Sequence, residues 1–570
     1  MRTAPGTEDG QRLRIEETGE SLLVTTGGAH PAAMKVARSL PVERDRLNVV
    51  MTDPGLVGHP ELAQRLRRWV PGRADSMRLI APCAASPGPT GTIPAQRLGD
   101  LLDCDVIAPV GEFVAVPGGS LFALAGKDAA GSGQWLRFRQ GRPPVPAGRR
   151  FPAPVWEVEL AEFVDPGIPE LSIEEIPAGL WVHWARLGGD RPDPNDLAYS
   201  SPVEAESVVL LVSRPGDAPL RASDLRRVIE ALPAPILERL VVVPYGDDPV
   251  SDGALGEVIA AAAGRSVRVR TGLPLHLAGR GQHMVAVGAD GRPTWIPFAR
   301  EVAWRPHGGS RLLAWTAPVE QLLPTGPGQL MLNERWMVEV VEAGLWIREA
   351  HRSEGAGAVR RLPLDADRCT VVIGVGDADQ IQPPWRAVER LLKQLPPDAL
   401  ARLRLAVPAA AGEWFAVAVT RGCRSVLDGD APDVLTRSGR LVPWTTASAP
   451  VPQHTVQTAP DTAEQPAPSI SAPEARRRRS KETELSSLLS FVDQIRRAPA
   501  WDELPPEGVA APGSAAPGAA AQGVAVPGAA AGVPDEEWWQ DTAEPRAATA
   551  RTAEQPAALL PQRAEIHEEK

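Results

Sequence analysis

The feature that most constrains this chain is an internal repeat. The segment EEIPAGLWV at 174–182 returns as EVVEAGLWI at 339–347, 165 residues later. That interval is the size of a domain, so it points to tandem domains rather than to the thin coils of a solenoid. After each segment comes an apolar run, SVVLLV at 207–212 and CTVVI at 369–373, with the composition of a buried strand. Each run leads into a Gly-Asp-Ala loop beginning at Gly216 and Gly376.

Helical spacing follows both loops. Leu225, Val228, Ile229 and Leu232 fall on one face, with Ser223 expected as the cap. Trp385, Val388, Leu392 and Leu395 mark the same face later, with Pro383 and Pro384 at the start. Both helices are predicted to stop at Leu-Pro pairs, because the residue before proline is pushed out of the helical region. The next strands read at 240–243 and 403–407.

A more diverged copy precedes these two. Its strand reads at 22–24, its loop at Gly27 and Gly28, its helix at 31–40 and its second strand at 47–51. A second helix carries Leu62, Leu66, Trp69 and Val70. Each copy is expected to close with a β-hairpin, at 133–138, 291–298 and 439–444. Strand, helix, strand, helix, strand is the order of a parallel sheet with right-handed crossovers. The predicted fold is therefore α/β: three tandem, diverged copies of a small, mostly parallel domain with a terminal hairpin. The expected divisions are a flexible 1–19, units at 20–165, 166–330 and 331–447, and a disordered tail at 448–570.

That tail is rich in Pro, Ala, Thr, Gln and Glu, and such a composition cannot bury enough apolar surface to offset chain entropy. It carries 11 basic and 18 acidic side chains, a net of −7 out of −11 for the 570 residues. The folded part is thus nearly balanced, which argues against nucleic acid as a partner despite 55 arginines. One island in the tail, 480–498, places Leu485, Leu488, Leu489, Val492 and Ile495 on one helical face. Trp501 follows at once, and a helix of this kind suits a protein partner's groove.

The 16 Trp are expected as fixed plugs in Leu/Val/Ala cores. Four scattered cysteines are too few for a disulfide framework or a zinc site. The polar first 20 residues lack a signal-peptide core, and no apolar run predicts a membrane span, so a cytoplasmic location is expected.

Candidate sites are sparse. Gly27, Gly28, Gly216, Asp217, Gly376 and Asp377 fall where α/β sheets hold ligands, beyond strand carboxyl ends. Neither GxGxxG nor GxxxxGK[ST] accompanies them. Asp beside Gly is also ordinary turn chemistry. No catalytic residue, metal or cofactor is assigned.

The AGLW segments at 178–181 and 343–346, the Leu-Pro helix ends and the 485–501 stretch together resemble large actinobacterial multidomain proteins. In those, tandem α/β regions precede a Pro-rich linker and sometimes a toxin-like ADP-ribosyltransferase domain. The resemblance implies a tandem α/β region over most of 1–505, and no catalytic domain is expected after the tail. The functional expectation is a non-catalytic scaffold or interaction protein with the tail helix as docking motif. Alternatives are a small-ligand or nucleotide-binding enzyme using the Gly-Asp loops, or the targeting part of a toxin or conflict system.

Overall fold

The computed structural model describes residues 13–444, apart from loops at 28–29, 71–75, 89–90, 126–132, 186–192, 247–249, 251–252, 278–280, 377–380, 427–431 and 438. Contacts divide the chain into Met1–Glu503 and Leu504–Lys570, and every described residue falls in the first unit. That unit is mixed α/β, with three large, mostly parallel sheets in chain order.

The first sheet begins with the hairpin β1 (Arg14–Thr18) and β2 (Ser21–Thr25). Helix α1 (Pro31–Ser39) leads to β3 (Arg46–Met51), α2 (Leu62–Leu66) to β4 (Ser76–Ile80), and α3 (Pro94–Leu102) to β5 (Asp105–Pro109). β2 to β5 are parallel. A side sheet follows from β6 (Phe113–Val116) and β7 (Ser120–Ala123). β8 (Trp135–Phe138) and β9 (Val145–Pro146) then close the main sheet antiparallel, and β10 (Arg150–Phe151) joins the side sheet. β1 lies inside the stretch 1–19 expected to be flexible. It is ordered because five residues pair in register with β2, from Arg14 opposite Thr25 to Thr18 opposite Ser21.

After α4 (Glu157–Leu160), the second sheet opens with the hairpin β11 (Leu171–Ile176) and β12 (Gly179–Trp184). Next in the sheet comes β13 (Val208–Val212), followed by α5 (Ala222–Ala231) and α6 (Ala234–Arg239). β14 (Leu240–Pro244), α7 (Leu255–Ala263) and β15 (Val267–Arg270) complete the parallel part. A detached hairpin of β16 (Leu273–Leu277) and β17 (Gly281–Val285) precedes β18 (Ala299–Trp304) and β19 (Ser310–Trp315), which close the sheet antiparallel. The hairpin expected at 291–298 is only a short irregular one, in which Pro293 bridges antiparallel to Val287 and the Ala286 amide donates to the Trp295 carbonyl at 2.9 Å; β18, immediately after it, pairs with the sheet.

The third sheet runs through β20 (Leu323–Gly326), β21 (Gln329–Met331), β22 (Trp336–Val341) and β23 (Gly344–Glu349), then α8 (Ala356–Arg360) and β24 (Cys369–Ile373). Helices α9 (Trp385–Lys393) and α10 (Pro397–Leu400) precede β25 (Leu403–Pro408), and α11 (Glu413–Gly422) precedes β26 (Asp433–Leu435) and β27 (Leu441–Val442). Leu232 leaves the helical region before Pro233 and ends α5. Its start differs from expectation: Arg221, not Ser223, is the N-cap, and Arg221 Nε donates to Asp224 Oδ2 at 2.6 Å.

The AGLW segment has a physical reason in both places. Gly179 and Gly344 start β12 and β23, where a Cβ would lie 2.2 Å from the Val209 carbonyl oxygen and 2.4 Å from that of Thr370. No side chain fits between strands that close. The preceding Ala178 and Ala343 carbonyls accept from the same neighbours, Val209 and Thr370, at 2.9 and 3.0 Å. Leu180 and Leu345 point into the helix-covered cores. Trp181 and Trp346 point to the other face, where each indole donates at 2.7 Å to a carbonyl ending the adjacent strand, that of Ser213 or Gly374. Both acceptor residues have positive φ, 73° and 97°.

Cores run across the sheet boundaries. Phe122 of the side sheet packs with Trp181 of the second sheet and with Tyr199 and Tyr245 in the segments beside it. Trp295 and Phe298 pack with Trp336, Val371 and Val388 of the third. Among the described residues no helix is long and apolar enough to cross a membrane.

Candidate functional site

The strand-end loops do not converge on one place. Gly216 and Asp217 follow β13, which sits next to the β11–β12 hairpin, and Gly376 follows β24, which sits next to the β22–β23 hairpin. Gly27 follows β2, a member of such a hairpin, so the loop matching Gly216 in the first sheet is the one after β3, at 52–55. There Asp53 Oδ1 accepts from the Gly55 amide at 2.7 Å, which is turn capping. Gly28 and Asp377 lie outside the described residues, as do Leu485, Leu488, Leu489, Val492, Ile495 and Trp501.

The chain's own backbone crowds the loops at Gly216 and Gly376, whereas Gly27 has open space around it. A Cβ on Gly216 would lie 3.0 Å from the Ala289 carbonyl oxygen, and the Gly376 amide donates to the Glu354 carbonyl at 2.8 Å. Asp217 Oδ2 is enclosed without a hydrogen-bond partner among the described residues.

The polar chemistry concentrates instead where one sheet meets the next, at the hairpin turn before each AGLW tryptophan. In the second sheet that turn is Pro177-Ala178. Arg150, from β10 of the side sheet, has a fully buried side chain. Its Nε donates to the Pro177 carbonyl and its Nη2 to that of Ile176, each at 2.7 Å, and Nη1 donates to Glu175 Oε1 at 2.9 Å. Arg149 pairs with the other Glu175 oxygen. Glu157 Oε1 accepts the backbone amides of Arg149 and Arg150 at 2.8 and 2.9 Å. Burial pushes the Arg150 guanidinium down, while Glu175 and Glu157 pull it back up. Burial also pushes the Glu175 carboxyl up, but the two arginines outweigh it and hold it below its ordinary value. A cleft of about 450 Å³ opens beside this joint, lined by Arg149, Glu174, Glu175 and Tyr199. Burial, then Glu174, keeps the Tyr199 phenol protonated well above its ordinary range.

In the third sheet the corresponding turn is Glu342-Ala343. Glu342 reaches into a small cavity of about 40 Å³ at the carboxyl end of β14, shared with Pro244, Gly246, Gly253, Leu364 and Ala366. The position where an open α/β sheet offers a ligand crevice is therefore filled by the next sheet's hairpin. Burial raises the Glu342 carboxyl from 4.5 to about 7, opposed by the Trp304 indole and the Leu364 amide. Neither Glu342 Oε2 nor the Trp304 indole nitrogen has a well-aligned partner among the described residues. Around this seam the Trp295 indole donates to the Asp365 carbonyl, and the Ile296 amide donates to Asp398 Oδ2 at 3.0 Å.

A second buried constellation lies beside Trp181. His183 Nε2 is 3.0 Å from Glu174 Oε1, His183 Nδ1 is 2.9 Å from the Trp184 carbonyl, and Arg214 stacks over Trp181. The same place in the third sheet holds Glu339, which receives Arg348 at 2.9 and 3.0 Å and Arg360 at 2.7 Å. These groups are spent on one another and on backbone carbonyls, which makes them structural. Burial raises all four thiols: Cys104 to about 11, Cys369 and Cys423 to about 12, and Cys83 to a lesser degree. A thiol held protonated is a poor nucleophile. Among the described residues no group of three or more His, Cys, Asp or Glu is placed to hold a metal ion.

No family model, curated protein or solved structure matches this chain.

Sequence reasoning did not find Arg150, Glu157 or Glu342. One signal was readable: within the repeated segment, Pro177 in one copy is replaced by a charged Glu342 in the other.

Proposed function

We propose that this chain is a cytoplasmic, non-catalytic interaction scaffold: three diverged copies of one α/β unit locked into one body, with a docking helix in its tail. The observation that carries the reading is the pair of joints. The turn before each AGLW tryptophan spends its polar chemistry on the preceding sheet, through Arg150 at one joint and Glu342 at the other. Descent from one unit is supported by a shared order of pairing, in which an antiparallel hairpin, parallel strands and an antiparallel closing strand recur, with β20 and β21 added before the hairpin of the third sheet. Glu16, Glu174 and Glu339 each stand directly opposite Leu23, Trp181 and Trp346 in those hairpins. Described cysteines that are all unpaired suit a reducing compartment.

In this reading the body presents the tail, and the apolar face of Leu485, Leu488, Leu489, Val492 and Ile495 with Trp501 engages a protein partner. The test places a photo-crosslinking amino acid at Trp501 of the full chain in native cells. A discrete adduct that disappears in Leu488→Asp and Val492→Asp, and persists in Asp217→Ala, is expected. An adduct indifferent to both tail substitutions would overturn the docking role.

A further inference from the structure

A cleft of about 500 Å³ lies on the face of the first sheet turned toward β10, and its wall is strongly basic. Arg46, Arg78, Arg137 and Arg150 line it together with a single carboxylate, Glu43. The charges are unequally matched. Arg46 and Arg78 share Glu43, while Arg137 shares Asp105 with Arg139. Four guanidinium groups thus lean on two carboxylates. Arg150 adds no excess, because Glu157 and Glu175 already answer it.

Arg78 is the decisive member. Its side chain is 7% exposed, and its guanidinium carbon lies 3.1 Å from the centroid of the Phe151 ring. Nη1 contacts Glu43 and, at 3.5 Å, Asn48 Oδ1. Nε is buried without a hydrogen-bond partner among the described residues. Burial lowers the Arg78 guanidinium to about 10, the direction a charge takes when its surroundings under-compensate it.

We propose that this cleft binds a phosphoryl dianion, either free phosphate or the head of a small phosphomonoester. An excess of two positive charges matches a dianion better than a single carboxylate. Planar guanidinium forks suit tetrahedral oxygens. The volume is that of a small-molecule site. Arg46 and Arg137, the more exposed of these side chains, supply the donors that reach the oxygens, while Arg78 behind them supplies positive charge.

The test uses the full chain and titrates sodium phosphate, glycerol 2-phosphate and sodium chloride at matched ionic strength, by calorimetry and thermal melting. Saturable binding of either phosphate compound, with a dissociation constant of about 1 mM or tighter, is expected. Tighter binding of the monoester would assign the site to a phosphorylated metabolite; equal binding would assign it to free phosphate. Arg78→Met should weaken affinity about tenfold or more. Because Arg78 is buried, Arg137→Gln provides the second test, at a side chain that is one-third exposed; it should weaken binding severalfold with an unchanged melting curve in chloride. The proposal fails if chloride raises the melting temperature as much as phosphate does. It also fails if both variants bind as the wild type does.

Discussion

Replacing Glu342 by glutamine should stabilise the protein at alkaline pH and leave it unchanged in acid. Glu342 is carried by the third sheet's hairpin turn into the cavity at the end of β14, and burial raises its carboxyl from 4.5 to about 7. A native value above the unfolded one means that the native state holds the proton more tightly. The associated stability is therefore complete below pH 4.5 and is lost as pH rises through 7. A displacement of that size is worth about 3 kcal/mol. Glutamine keeps the shape of the protonated acid and has no proton to lose. Urea unfolding followed by tryptophan fluorescence reads the joint, since Trp295 and Trp304 are buried beside it. The Glu342→Gln and wild-type curves should coincide near pH 4 and separate by up to about 3 kcal/mol at pH 8. An offset that is the same at both pH values would refute the reasoning, whatever the other carboxylates do to both curves alike.

Three further outcomes follow from the same contacts. Arg150→Met removes the donor to Glu175 Oε1 and to the Pro177 and Ile176 carbonyls, leaving Glu175 only Arg149, so it should cost about 3 kcal/mol, and adding Glu175→Gln should recover part of that in a double-mutant cycle of urea midpoints. Gly344→Ala drives a Cβ against the Thr370 carbonyl and should lower stability by about 1–3 kcal/mol, whereas Gly58→Ala, with open space around it, should be nearly silent in the same melt. Cys83, the exposed thiol, should react first with a thiol reagent in native buffer, while Cys369 and Cys423 react only in denaturant; early labelling of either buried thiol would contradict the packing of β24 and α11.

The sequence by itself determined the local elements. β24 coincides with the run CTVVI, β14 with the run at 240–243, and α5 stops at Leu232 before Pro233, because strand composition and proline stereochemistry act over a few residues. The repeat at 174–182 and 339–347 marked the two places where a strand must pass its neighbour too closely for any side chain but hydrogen. It did not foresee which strand of the first sheet would take the place of β13. β2 reads as a buried strand followed by glycines, yet its pairing with β1 makes it the hairpin member that matches β12, and β3 matches β13. Which strand lies beside which is a long-range choice that local composition does not encode. The joints were decided by tertiary structure alone. Arg150 and Glu342 are two charges among many in the sequence, and they differ from the rest only because packing removes water from them and leaves the neighbouring sheet as their partner.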